Sequence, residues 1–160
     1  MFVELTKYTL MHKNIPTIDM FINDKSGYIE IVGTLVSAEH LPIGISCKND
    51  IVNEEELNEW WSERCIPANR EGFKQLFYSM NMNVRRNILT RCMGLSLSDQ
   101  YWICPASSGV RWEEVNFFQN AFSDDVGNIL FGRGSSSGRV SLMSPDNTSD
   151  GWLKKKWAIL

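Results

Sequence analysis

The chain has 160 residues, 43% of them apolar and 22% charged, with a formal net charge of −3. That balance is what a single globular domain with a real core shows, and it excludes a disordered chain. Mild acidity argues against a general nucleic-acid binder, and no apolar run approaches the roughly 18 residues that cross a bilayer.

Val3, Leu5 and Tyr8–Leu10 alternate with polar positions and predict a first strand, broken at Asn14-Ile15-Pro16. Ile18, Met20 and Ile22 alternate again and predict a second strand, closed by the turn Asn23-Asp24-Lys25-Ser26-Gly27. A third strand follows through Tyr28, Ile29 and the stretch 31–36, and Leu41-Pro42-Ile43-Gly44 ends this part. The expectation is a small N-terminal antiparallel sheet.

The period then changes. Asn53 before Glu54-Glu55-Glu56 predicts a helix N-terminus, because an amide oxygen accepts from the free N–H groups and carboxylates suit the dipole. Leu57, Trp60 and Trp61 follow at i, i+3 and i+4. The two tryptophans point about 100° apart on a helix, so one enters the core and the other lies at its margin. Phe73, Leu76, Phe77 and Met80 predict a second helix; Val84, Ile88, Leu89 and Cys92 predict a third, capped by Asn83 and stopped at Gly94.

Tyr101–Cys104 predicts a short strand ended by Pro105, and Trp112, Val115 and Phe118 an irregular or short-helical piece. Ser123-Asp124-Asp125 opens a further helix with Val126, Ile129 and Leu130 on its buried stripe. Residues 132–139 are Gly/Ser-rich and predict a linker, and 140–160 a C-terminal β-hairpin stub with unpaired Ala158-Ile159-Leu160. The expected class is therefore α+β: a domain over 1–131, several short helices after its sheet, a linker and the stub.

Chemistry-bearing patterns are sparse. Cys47, Cys65, Cys92 and Cys104 form no C-x-x-C pair and lie far in sequence from His12 and His40, so no metal site is expected and the cysteines read as reduced, packed thiols. Neither histidine has a nucleophile or carboxylate at a motif spacing. The Gly/Ser stretch lacks the spacing and the Lys-Ser/Thr of a phosphate loop. The opening residues carry no basic-then-apolar signal pattern, and the expectation is a cytoplasmic protein. Arg85, Arg86 and Arg91 on the third helix could enter a major groove, which is the DNA-binding alternative.

Three segments carry a resemblance: Gly94-Leu95-Ser96-Leu97-Ser98-Asp99-Gln100-Tyr101-Trp102, then 125–132, then 142–157 with Ser144-Pro145-Asp146-Asn147 and Gly151-Trp152-Leu153-Lys154-Lys155-Lys156-Trp157. Together they resemble the N-terminal portion of HipA-like proteins of Gram-positive bacteria and their mobile elements. In that family this portion precedes a kinase-like domain that transfers phosphate from ATP to protein serine or threonine. By resemblance, Ser144, Asn147, Gly151, Lys154 and Lys156 would lie near the nucleotide in a complete protein. The chain stops before the strand with the ATP-phosphate lysine, the catalytic loop and the metal-binding Asp. What the resemblance implies is a non-catalytic, regulatory protein-interaction module with no cofactor, of the kind that serves as a free-standing inhibitor. Its partner would be a kinase-like core or a host protein, with nucleic acid disfavoured. Trp61, Trp152 and Trp157 are the candidate contact residues, and the C-terminal strand offers a route to a homodimer. The runner-up is an excisionase-like DNA-binding accessory protein.

Overall fold

Alternation of apolar and polar side chains over the first 35 residues builds three strands, and the computed structural model describes them within residues 4–65, 86–106 and 108–120. They are β1 (Leu5–His12), β2 (Ile15–Asn23) and β3 (Ile29–Leu35). Each pairs antiparallel with the next. The hairpin between β1 and β2 turns on Lys13 and Asn14, with Lys13 in the left-handed region at φ 54°. Residues 15 and 16, expected as a break, instead begin β2. Pro16 is tolerated because the ladder is already irregular there: the register shifts between Leu10 and Met11, and a missing N–H costs least at a bulge. At the same place the Thr17 hydroxyl donates to the Leu10 carbonyl.

The turn after β2 forms where expected. The Asn23 side-chain oxygen accepts from the N–H groups of Lys25 and Ser26, and Gly27 takes the positive φ of 67° that closes it. Beyond β3, a 3-10 turn (Ala38–His40) leads into a short hairpin of β4 (Cys47–Lys48) and β5 (Ile51–Val52). Asn49 and Asp50 both have positive φ in its turn. This hairpin was not expected; Asn-Asp between two-residue strands leaves too little alternation to recognise.

Helix α1 (Glu54–Glu63) starts as its sequence requires, the Asn53 side chain accepting from Glu55 N–H and Glu56 N–H. Helix α2 (Arg86–Arg91) ends on two bonds that define a Schellman motif: Gly94 N–H donates to Leu89 C=O and Met93 N–H to Thr90 C=O. The left-handed residue just past the cap is thus Met93 (φ 55°), with Gly94 following at φ 61°. Gly94 has a second reason to be glycine. A Cβ there would sit 2.7 Å from the Trp61 ring.

Strand β6 (Tyr101–Pro105) then pairs antiparallel with β1, giving one four-stranded sheet in the order β3-β2-β1-β6. The sheet is therefore completed from far along the chain, not by the N-terminal segment alone. Helix α3 (Trp112–Val115) follows. The expected helices through 73–80 and 123–130, the Asn83 cap, the linker 132–139 and the stub 140–160 lie outside the described residues.

Both faces of the sheet are used. Leu10, Ile18, Met20, Ile22, Ile29 and Ile103 pack with Leu57, Trp61, Cys65 and Leu89 on one side. Leu95, Trp102, Cys104, Trp112, Val115 and Phe117 form a second cluster, with Met11 of β1 against it. The period of two on β1 and β6 sends neighbouring residues to opposite clusters: Tyr101 and Ile103 to the first, Trp102 and Cys104 to the second. Each fully buried large apolar side chain contributes roughly 1.5–3 kcal/mol. Just past α3 it is Phe117 that is buried with Trp112 and Val115, while Phe118, expected with them in an irregular or short-helical piece, is exposed. The helix is a single turn, so helical spacing does not extend to residue 118.

Candidate functional site

Several polar residues with unusual surroundings converge where β1 ends and β6 begins. Lys13 N–H donates to the Gln100 carbonyl at 3.0 Å, which holds the start of β6 to the end of β1. This brings His12, the last residue of β1, opposite Tyr101, the first of β6. Their rings stack with centroids 4.7 Å apart and planes 22° from parallel. The Tyr101 hydroxyl donates to the Leu41 carbonyl at 3.2 Å, tying the turn after β3 to the same place.

His40, in that turn, meets His12: the two Nδ1 atoms lie 2.9 Å apart. The chain separates these residues by 28 positions, so no sequence spacing announces the pair. Burial lowers the pKa of His12, and the nearby His40 and Lys13 lower it further, while Gln100 and Asp99 oppose them. Two facing imidazole nitrogens at this distance share one hydrogen.

Arg64, just past α1, is buried with its charge fully engaged. Its Nε and Nη2 donate to the Gly94 carbonyl, its Nη1 and Nη2 to the Asp99 carboxylate, and Nη2 also to the Tyr101 carbonyl. The guanidinium carbon lies 4.7 Å from the centre of the Trp60 ring, and Trp60 meets Tyr101 edge-on at 5.8 Å. Asp99 in turn accepts the Tyr101 N–H at 3.0 Å. One buried cation therefore joins α1, the end of α2 and the start of β6. Asp99 proves to be the partner that makes burial of Arg64 tolerable.

A second tie lies at the other side of the same turn. The Asn14 oxygen accepts the Trp112 N–H at 2.9 Å and its amide donates to Glu113 at 2.8 Å, so a hairpin residue caps α3 from 98 positions away. Trp102 Nε1 donates to the Lys13 carbonyl at 2.7 Å.

Among the expected site residues, Trp61 is in the core, fully buried, with Nε1 donating to the Gly27 carbonyl at 3.0 Å. A contact role for Trp61 is therefore corrected: the helix turns Trp61 inward and leaves its neighbour Trp60 at the margin, because adjacent helical residues diverge by about 100°. Arg91 is exposed in the last turn of α2, and Arg86 opens that helix. Arg85, Ser144, Asn147, Gly151, Trp152, Lys154, Lys156 and Trp157 lie outside the described residues.

None of Cys47, Cys65, Cys92 and Cys104 is in a disulfide, and burial pushes the Cys92 thiol up to about 12. Among the described residues no three His, Cys, Asp or Glu side chains gather as metal ligands, and no helix is long and apolar enough to cross a membrane.

The surface carries a different feature. Large apolar side chains stand in solvent on β3, on the segment after it and on the small hairpin: Ile31, Val36 at 56%, Ile51 at 74% and Ile43 fully exposed. Sequence alternation could not single these out, since each stands beside apolar neighbours, such as Val32, Leu35, Leu41 and Val52, that are partly or fully buried. Comparison with protein-family models, with curated proteins and with solved structures finds no match.

Proposed function

We propose that this chain is a non-catalytic protein-interaction module that regulates a partner protein, by resemblance a HipA-like kinase core. The observation that carries this reading is the set of exposed apolar side chains at Val36, Ile43 and Ile51. Isolated apolar residues on a surface need no explanation, but three large ones on the segment and hairpin that follow β3 favour burial against another protein. The polar residues with altered surroundings support it from the other side: Arg64, Asp99 and Asn58 are spent on holding the fold, not on an open cleft.

The test is pull-down of purified chain with a HipA-like kinase core, wild type against Ile43→Asp and Ile51→Asp. Retained binding by wild type and at least a tenfold loss in the variants is expected. Three results would overturn the reading: unchanged binding in both variants, phosphoryl transfer by the chain alone with ATP and magnesium, or sub-micromolar duplex DNA binding at physiological salt.

A further inference from the structure

His12 and His40 face each other through Nδ1 at 2.9 Å, and this contact has a strict proton count. With both rings neutral, one imidazole in its Nδ1–H form donates to the bare Nδ1 of the other. With one extra proton on the pair, an imidazolium donates to the remaining neutral ring, which strengthens the bond. With two, both Nδ1 atoms carry hydrogen and point at each other. No acceptor remains and two positive charges adjoin, so the contact cannot survive.

What the contact holds is specific. His12 ends β1, backed by the Tyr101 ring, so it cannot move without disturbing the sheet. His40 ends the 3-10 turn Ala38–His40, which leads directly to Leu41 and the fully exposed Ile43. The turn itself is thin: two backbone bonds, His40 N–H to Ser37 C=O at 3.4 Å and Leu41 N–H to Ala38 C=O at 3.2 Å, and no buried residue. Among the described residues, the imidazole contact and the Tyr101 hydroxyl on the Leu41 carbonyl link this turn to β1 and β6, while the Thr17 carbonyl of β2 accepts the N–H groups of Val36 and Ser37 ahead of the turn and Leu41 packs against the core.

We propose that the His12–His40 contact is a proton-operated clasp, closed while the pair holds no more than one extra proton and opened by the second, which frees the turn 38–41 from the end of β1. The mobile side is the turn and the fixed side is the sheet.

The charged groups around the pair favour a clasp that is closed at neutral pH. Lys13, next to His12 on the hairpin, opposes its protonation. Asp99 favours it, but that carboxylate is already committed to Arg64. From the start of β6, Gln100 favours protonation of the His12 ring and Tyr101 stacks on it; from α1 and its C-cap, Trp60 and Arg64 stand beside Tyr101. Glu39 adjoins His40 in the turn. The two rings share one contact, so the clasp is set by the second proton that the pair takes up and not by either residue alone.

This inference stands apart from the proposed function, because it concerns a movement and not a partner. The experiment is an NMR titration of the whole chain from pH 8 to pH 5, following the imidazole C–H signals and the backbone amides of residues 38–45. Two separated imidazole steps are expected, with the amides of 38–45 shifting in the lower one. In His40→Gln the split should vanish, the remaining His12 should titrate at higher pH than in wild type, and the amides of 38–45 should no longer follow it. Both imidazoles titrating together near pH 6.5, with the turn unmoved, would overturn the proposal. So would an unaltered shift of the turn in His40→Gln. Should a variant not fold, the wild-type titration decides by itself.

Discussion

Asn58 serves Ile29 as a substitute strand, its amide donating to the Ile29 carbonyl at 2.9 Å and its oxygen accepting the Ile29 N–H at 3.0 Å. Ile29 begins β3, at the edge of the sheet, and a helix side chain completes the ladder where no strand runs. Asn58 also bonds the Glu54 carbonyl within its own helix, which fixes the amide orientation. This pairing is what seats α1 against the sheet.

Removing it orphans two buried backbone groups. Asn58→Ala should lower stability by about 2–4 kcal/mol, since each unsatisfied buried group costs roughly 1–3 kcal/mol. Asn58→Asp should do no better, because a carboxylate cannot donate to the Ile29 carbonyl. Urea unfolding followed by tryptophan fluorescence measures both, and a loss under about 0.5 kcal/mol for Asn58→Ala would mean that water replaces the amide.

Gly94 and Trp61 should be energetically coupled. Gly94→Ala places a methyl group 2.7 Å from the Trp61 ring and imposes a positive φ on alanine. A loss of about 1–3 kcal/mol is expected. In a Trp61→Phe background the shorter ring withdraws the clashing atoms, so the same change should cost less. A double-mutant cycle with a coupling of about 1 kcal/mol or more would bear this out, and strict additivity would not.

Arg64 should be more sensitive than its single ion pair suggests. Arg64→Met keeps the stem but leaves the Asp99 carboxylate and the Gly94 carbonyl without their donor, with an expected loss of about 3–5 kcal/mol. Arg64→Lys should recover only part of it, because one ammonium cannot span Gly94, Asp99 and Tyr101 at once. Thermal unfolding of the three proteins ranks them. Equal stability of the lysine and arginine forms would contradict a forked geometry.

Acid should weaken the fold through His12. Its pKa is lowered on folding, so the unfolded chain takes up the proton first as pH falls. The stability that His12 contributes is complete above its ordinary value of 6.5 and declines as pH drops below it. Urea midpoints between pH 7.5 and 5 should fall, and fall less in His12→Gln. A midpoint that rises with acid over that range would reverse the sign.

Cys92 should be unreactive in the folded chain. It is fully buried and its thiol is pushed up to about 12, so almost no thiolate exists at pH 8. Mass-spectrometric mapping after brief iodoacetamide treatment should find Cys92 modified only once denaturant is present, with the partly exposed Cys47 labelled first. Labelling of Cys92 at the rate of Cys47 under native conditions would show that the core opens there.

The strands β1, β2 and β3, the Asn23–Gly27 turn, the Asn53 cap and the strand through residues 101–104 were legible in the chain because each depends on neighbours within a few positions. Period-two alternation and a capping amide are local physics. The inward turn of one of two adjacent tryptophans was legible too, though which one was not, since that depends on what the helix faces.

The site was not legible, for a physical reason of the same kind. His12 with His40, Arg64 with Asp99, Asn14 with Trp112 and Asn58 with Ile29 are joined across 28 to 98 positions, and nothing in any one segment declares the other. What the amino-acid order determined unaided is where this chain extends, turns and coils. What tertiary structure alone decided is which polar groups meet: the turn after β3 comes back to the end of β1 and sets two imidazoles nitrogen to nitrogen, and β6 returns beside β1 and gives a buried guanidinium its carboxylate.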